Sequence, residues 1–64
     1  MINAQYRITL LAEEIFGSRE KATKWLRKPR RILGGISALE ASATPQGYAA
    51  AEELLEQLRH GFAS

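Results

Sequence analysis

Apolar residues recur in the first part of this 64-residue chain at the spacing of an amphipathic helix. Between residues 4 and 16 they stand three and four positions apart, which places them on one side of a helix. These apolar residues are Ile8, Leu11, Ala12, Ile15 and Phe16. Gly17 follows at once and suits the left-handed conformation that ends many helices. The pattern therefore predicts a first helix over residues 4–16.

A second helix is predicted between Ser18 and Pro29. Serine is a favoured N-cap, and Glu20 lies near the positive end of the helix dipole. The apolar face of this helix carries Ala22, Trp25 and Leu26. Pro29 ends the helix because residues before a proline avoid the helical backbone conformation. We interpret Trp25 as a core residue; the alternative is an interface position, where tryptophan is enriched.

A turn and a short helix follow. The paired glycines Gly34 and Gly35 indicate a tight turn or a close approach of the backbone. Ser37 and Glu40 have the spacing of a capping box, in which each side chain accepts a hydrogen bond from a free amide at the helix start. We expect the helix they open to be one or two turns long and to reach Ala41.

The last helix is predicted to begin at Thr44 and Pro45, because threonine caps well and proline is tolerated at the first helical position. Gly61 ends it, and Phe62 could fold back onto its last turn. Its apolar stripe is Ala51, Leu54, Leu55 and Leu58. No stretch alternates with a period of two. The predicted fold class is all-α, a small bundle of about four short helices in a single domain over residues 1–64.

Composition limits what such a domain can be. The chain is 45% hydrophobic and 25% charged, an ordinary globular composition. A chain of this size buries roughly 60% of its unfolded surface, and below about 70–80 residues a staple or a partner is usually needed. The absence of cysteine excludes a disulfide, and one histidine without aspartate argues against a metal cage. We therefore expect a homo-oligomer or docking onto a larger protein.

Membrane and secretory classes are not supported. There is no apolar run of about 18 residues, so we expect no membrane span. The N-terminus lacks the layout of a signal peptide. We accordingly expect a cytoplasmic protein.

Charge is unevenly distributed along the chain. Glu20 is the one acidic residue in the segment 18–31. The basic residues of this segment are Arg19, Lys21, Lys24, Arg27, Lys28, Arg30 and Arg31. Residues 37–64 carry four glutamates against Arg59. Two interpretations stay open: a solvated face with internal charge complementarity, or a basic patch that meets an acidic partner or a phosphate. Nucleic acid is the weaker partner, because the patch lacks interleaved aromatic residues apart from Trp25 and no known nucleic-acid-binding motif surrounds it.

No catalytic constellation is present in the sequence. His60 is the one imidazole and stands at a helix end, where it can interact with terminal carbonyls; a partner contact is the alternative. Ser37 is better explained as a cap, and the glutamates of the last helix as a solvated face. Leu33-Gly34-Gly35 lacks the spacing of a phosphate-binding loop. We expect neither an enzyme nor a bound cofactor or metal.

Short motifs run in a fixed order along about residues 8–62. They are Ile15-Phe16-Gly17, Ala22, Trp25-Leu26, Pro29, Leu33-Gly34-Gly35, Ser37 to Leu39, Gly47, Leu54-Leu55 and His60-Gly61. In this order and spacing they resemble the toxin-binding domain at the C-terminal end of the MbcA/ParS/Xre antitoxins. The resemblance implies a non-enzymatic inhibitor of a RES-type toxin, an NAD⁺-degrading enzyme whose active-site entrance the antitoxin covers, often with its C-terminal end. It also implies dimers or larger assemblies.

The partner-binding residues are predicted at the glycine turn and at the C-terminal end. They are Arg30, Arg31, Leu33, Gly34, Gly35, Arg59, His60, Gly61, Phe62 and Ser64. A pocket for NAD⁺ must hold two phosphates, so we expect it to present positive or amide-donor groups. Such groups would also accept an acidic side chain or the terminal carboxylate of an inhibitor. For Leu33-Gly34-Gly35 a role in determining the fold is the alternative. The alternative for the whole chain is a homodimerisation or adaptor module without an enzyme target.

Two features depart from the family pattern. Many members have an N-terminal helix-turn-helix region that binds DNA, and this chain begins about where that region would end. Either the protein is a stand-alone toxin-binding module without a helix-turn-helix region, or the chain is a piece of a longer protein, so operator binding is not carried over from the family. The family often has a proline after the serine that caps the short helix, whereas this chain has Ala38, which should weaken the start of that helix.

Overall fold

The computed structural model describes residues 3–61, which form four α-helices and a small hairpin. The elements in order are α1 (Ala4–Phe16), α2 (Arg19–Arg27), β1 (Pro29–Arg30), a 3₁₀ helix (Arg31–Leu33), β2 (Ile36–Ser37), α3 (Ala38–Ala41) and α4 (Pro45–Arg59). The predicted all-α class is confirmed. The two strands were not predicted, because two residues are too few to show an alternating pattern.

The predicted helix ends are confirmed by their hydrogen bonds. The side chains of Ser18, Ser37 and Thr44 each accept a hydrogen bond from the amide three residues further on. The carboxylate of Glu40 accepts the amide hydrogen of Ser37 in return, which completes the capping box. Gly17 ends α1 in the left-handed conformation. Local sequence therefore fixes where each of these helices begins or ends.

The core contains few large side chains. Its buried members are Ile8, Ala12, Ala22, Leu26, Ala38, Ala51 and Leu55. Because four of these seven are alanines, the helix backbones lie close together where they cross. Trp25 is partly buried and packs against this core, with its ring 6.2 Å from that of Phe16. The predicted apolar faces of α1, α2 and α4 are thus the faces that pack together.

A hairpin carries the chain from α2 to α3. Pro29 pairs with Ser37, and Arg30 pairs with Ile36, in an antiparallel arrangement. Gly34 and Gly35 have φ values of 82° and 90°, which a residue with a side chain rarely adopts. Their amides donate to carbonyl oxygens at the start of the turn, each at 3.0 Å. The predicted tight turn is confirmed, and it places the segment between the strands beside α4.

Candidate partner-binding surface

Two isoleucines on either side of the glycine pair expose their side chains. Ile32 is 73% exposed and Ile36 is 40% exposed. Leu33, between them, is partly buried and packs against the core. Neighbouring residues of a 3₁₀ helix point in different directions, so Leu33 anchors the turn while Ile32 points outward. We call residues 30–36 the hairpin tip. Contiguous exposed apolar patches mark interaction surfaces, which makes the hairpin tip a candidate for one.

Three surface clefts meet at Ile32. The first has a volume of about 380 Å³ and lies between the hairpin tip and α4. We call it the Trp25 cleft, and its lining residues are Trp25, Pro29, Arg30, Arg31, Ile32, Leu54 and Leu58. The other two include Leu33 and run past Ala50 of α4. The hairpin tip and the adjoining face of α4 therefore form one continuous surface.

Arg30 has a defined orientation in the wall of the Trp25 cleft. Its guanidinium carbon lies 4.2 Å from the centroid of the Trp25 ring, a cation–π geometry. Its Nη2 donates to the carbonyl oxygen of Trp25 at 3.2 Å. Its Nε is buried and has no hydrogen-bond partner among residues 3–61. Burial lowers the pKa of Arg30 below its ordinary value, yet an arginine remains charged at neutral pH. The cleft therefore holds an oriented positive charge.

The basic segment is turned toward solvent. The side chains of Lys21, Lys24, Arg27, Lys28 and Arg31 are exposed. Within the described part of the chain the ion pairs are Arg19–Glu13, Arg59–Glu14, Arg59–Glu56 and His60–Glu56. None of these joins the basic segment to α4, so the structure does not show the internal charge complementarity that was one of the two interpretations. The positive potential faces outward, where it can attract an acidic partner.

The C-terminal end of α4 lies beside the hairpin tip. Leu58 lines the Trp25 cleft together with Arg30 and Arg31. The next residue, Arg59, contacts α1 instead: its Nη2 is 2.8 Å from a carboxylate oxygen of Glu14. The two groups of predicted residues thus meet at Leu58.

Beyond Arg59, the predicted contact residues are exposed or fall outside the described part of the chain. The side chain of His60 is 73% exposed, and its Nε2 lies 3.8 Å from Glu56. Gly61 follows it and is exposed. Phe62 and Ser64 lie outside the described residues.

Sequence reasoning missed the exposed isoleucines of the hairpin tip. A signal for them exists in the sequence. Ile32 and Leu33 are consecutive apolar residues directly before two glycines, and neighbouring residues of a tight turn point in different directions. The structure shows that Ile32 is the exposed one of the two.

The described residues were searched for a metal-binding group and for a membrane-spanning helix. No three histidine, cysteine, aspartate or glutamate side chains within residues 3–61 are grouped so that they could hold a metal ion. In the same part of the chain, no helix has the length and apolar character needed to cross a membrane. The surface combines exposed aliphatic side chains with an oriented guanidinium, a combination suited to binding another protein.

Comparison with known proteins agrees with a protein-binding role. The family described as the antitoxin Xre/MbcA/ParS C-terminal toxin-binding domain matches residues 11–61. A protein named Antitoxin Xre from Pseudomonas putida is 38% identical over 55 residues, which cover 86% of this chain and 35% of that protein. No solved structure matches. The chain belongs to the Xre/MbcA/ParS family of antitoxin toxin-binding domains, and it spans about a third of the relative's length. The resemblance read from the motifs is confirmed.

Proposed function

We propose that this chain is the toxin-binding part of an antitoxin, and that it inhibits a RES-type, NAD⁺-degrading toxin by occluding the toxin's active site. The chain itself catalyses no step in this proposal, and it acts in the cytoplasm, where it meets the toxin. The observation that carries the proposal is the family match over residues 11–61, which contain both the hairpin tip and α4.

The surface around Ile32 supports a binding role for this region. It combines a 73% exposed isoleucine, half-buried leucines of α4 and the oriented guanidinium of Arg30. Interfaces are enriched in arginine and aromatic residues and bury an apolar centre. The end of α4 adjoins this surface at Leu58, so a toxin docked on the hairpin tip would also meet the C-terminal end of the chain.

The test is an NAD⁺-consumption assay with a purified RES-type toxin. We expect activity to fall as the chain is added, and we expect excess NAD⁺ to relieve the inhibition, so that the apparent KM rises while kcat is unchanged. Inhibition that NAD⁺ does not relieve would contradict occlusion and support inhibition from a remote site. Full activity at a molar excess of the chain would contradict the whole proposal.

A matched pair of variants tests the surface. Ile32→Gln changes the exposed centre of the clefts, and Leu10→Gln makes the same kind of change at a 44% exposed position of α1. We expect Ile32→Gln to weaken inhibition at least tenfold and Leu10→Gln to leave it unchanged. Equal effects of the two substitutions would show that the hairpin tip is not the binding surface. Thermal unfolding of both variants checks that the domain is intact.

The second candidate, a homodimerisation or adaptor module, is favoured by a different surface. Tyr6 and Leu10 lie one helical turn apart on α1 and are 51% and 44% exposed. Both precede residue 11, where the family match begins. We propose that self-association, where it occurs, uses this face of α1, which leaves the hairpin tip available to the toxin.

A further inference from the structure

We propose that Arg30, stacked on Trp25, forms a carboxylate-binding site that receives one aspartate or glutamate side chain of the toxin, with an apolar neighbour of that side chain packed on Ile32. This inference rests on the proposed function, because the partner it concerns is the toxin. It adds the chemistry by which that partner is recognised.

The guanidinium of Arg30 is pre-oriented for binding. Trp25 covers one face of the guanidinium at 4.2 Å, and the hydrogen bond from Nη2 to the Trp25 carbonyl fixes its rotation. A guanidinium has five N–H donors, and this hydrogen bond uses one of them. The Nε–H is buried and has no acceptor within residues 3–61, so a carboxylate would be bound by the terminal Nη groups. An arginine held in this way loses little side-chain entropy when it binds a carboxylate in its plane.

The positive charge of Arg30 lies in largely apolar surroundings. Pro29, Leu54 and Leu58 form apolar walls of the Trp25 cleft, and Arg31 adds a second cation at its lining. Apolar walls exclude water and strengthen an ion pair relative to one on an open surface. Ile32 stands at the edge of the same cleft and offers contact area to the residue beside the incoming carboxylate.

A glutamate near the Trp25 cleft favours a single carboxylate over a polyanion as the ligand. Glu53 lines the neighbouring cleft that shares Ile32 and Leu54 with this one. A nucleic-acid strand laid along the basic segment and across the hairpin tip would bring several phosphates toward this glutamate. One carboxylate of a protein partner can reach Arg30 without passing Glu53. The charge pattern therefore favours a protein side chain over a nucleic acid.

The experiment compares two substitutions that both retain the positive charge. Arg30→Lys removes the planar donors, whereas Arg27→Lys makes the same change at an exposed position on α2. Calorimetry with the RES-type toxin should show at least a tenfold loss of affinity for Arg30→Lys and less than a twofold loss for Arg27→Lys. Equal affinities of the two variants would overturn the inference while the wild-type affinity still supports the proposed function. Circular dichroism shows whether each variant is folded.

A second measurement does not depend on the toxin. Trp25 is the one tryptophan of the chain, so its fluorescence reports on the cleft. The probes are capped Leu-Glu-Leu and Leu-Gln-Leu peptides. We expect the glutamate peptide to change the emission of the wild type and not of Arg30→Lys, and the glutamine peptide to change neither. Equal responses to both peptides would overturn the site even if the toxin binds elsewhere.

The same signal identifies the other possible occupants. An Arg30-dependent change caused by duplex DNA, with no response to the glutamate peptide, would assign the site to phosphate and overturn the inference. The Trp25 emission could instead change with the concentration of the chain alone, and this change could be lost in Arg30→Lys. That result would assign the site to a glutamate of a second copy and would also overturn the inference.

Discussion

Gly47 determines how closely α4 approaches the end of α3. It stands at the third position of α4, and its amide donates to the side chain of Thr44 at 3.0 Å. A Cβ atom built at this position would overlap the carbonyl oxygen of Ala41 and lie 2.9 Å from the hydroxyl oxygen of Thr44. The obstruction is backbone, which cannot rotate away as a side chain can. Glycine is therefore required here for packing.

We predict that Gly47→Ala destabilises the domain even though alanine is the better helix former. The net loss in the free energy of unfolding should be about 1–3 kcal/mol, because the overlap outweighs the gain of about 1 kcal/mol in helix propensity. In a domain of this size that lowers the unfolding midpoint by at least about 4 °C. The measurement is thermal unfolding followed by circular dichroism.

The control for this substitution is Ala49→Gly, which makes the reverse change at an exposed position of the same helix. It should cost about 1 kcal/mol through propensity alone. If Gly47→Ala raised the midpoint instead, the close approach of α4 to Ala41 would not contribute to stability.

Single residues differ in how far the sequence reveals their roles. Ser18, Gly17 and the Ser37–Glu40 capping box were predictable because each acts on amides or carbonyls within four positions of the chain. The stacking of Arg30 on Trp25 was not predictable. It depends on the direction in which the hairpin leaves α2, and no local pattern encodes that direction.

At the scale of elements, the start of α3 offers a place to restore the family's pattern. Ser37 has φ −75° and ψ 160°, an extended conformation that is compatible with a following proline. Ala38 is the first residue of the helix, where the amide has no partner within the helix and proline is tolerated. The backbone is therefore already prepared for proline at position 38.

We predict that Ala38→Pro raises the free energy of unfolding by about 0.4–1 kcal/mol, because proline restricts the unfolded chain. Denaturant unfolding measures this change. Ser37→Ala, which removes the cap of the same helix, should lower the free energy by about 1 kcal/mol. A loss of stability in Ala38→Pro would mean that the buried site of Ala38 has no room for the ring.

A second prediction at this scale concerns the end of α4. We expect that removing residues 61–64 abolishes inhibition of the toxin while the helical content stays the same. The helix itself ends at Arg59, and the amide of His60 bonds to the carbonyl oxygen of Glu56, so the deletion leaves these contacts in place. NAD⁺ consumption and circular dichroism measured on one preparation test it. If the shortened chain inhibited NAD⁺ consumption as strongly as the full chain, the occluding residues would lie on the hairpin tip instead.

The helices were predictable, including the short α3, and the strands of the hairpin were not. The helical period in residues 4–16 gave both the bounds of α1 and the face that it buries, since Ile8 and Ala12 are fully covered. The β1–β2 pairing involves two residues from each strand and is determined by Pro29 and the glycine pair rather than by any hydrophobic repeat. Sequence reasoning found the turn but could not find which of its side chains would be exposed.

At the scale of the whole molecule, the described residues expose large apolar side chains on two different elements. One includes Tyr6 and Leu10 on α1, and the other includes Ile32 and Ile36 at the hairpin tip. The buried core offers Ile8, Leu26 and Leu55 as its large side chains, and the other four members are alanines. A small core gains little from burial, so covering either surface adds appreciably to stability.

We predict that the two surfaces serve different partners and can be separated by substitution. Leu10→Gln should reduce self-association measured by sedimentation equilibrium and leave binding of the toxin unchanged, because it removes apolar area from α1 alone. Ile32→Gln should weaken toxin binding and leave self-association unchanged. If Ile32→Gln also dissociated the oligomer, the hairpin tip would be occupied by a second copy, and toxin and self-association would compete for it. Toxin binding should then weaken as the concentration of the free chain rises, whereas separate surfaces predict an affinity that does not depend on it.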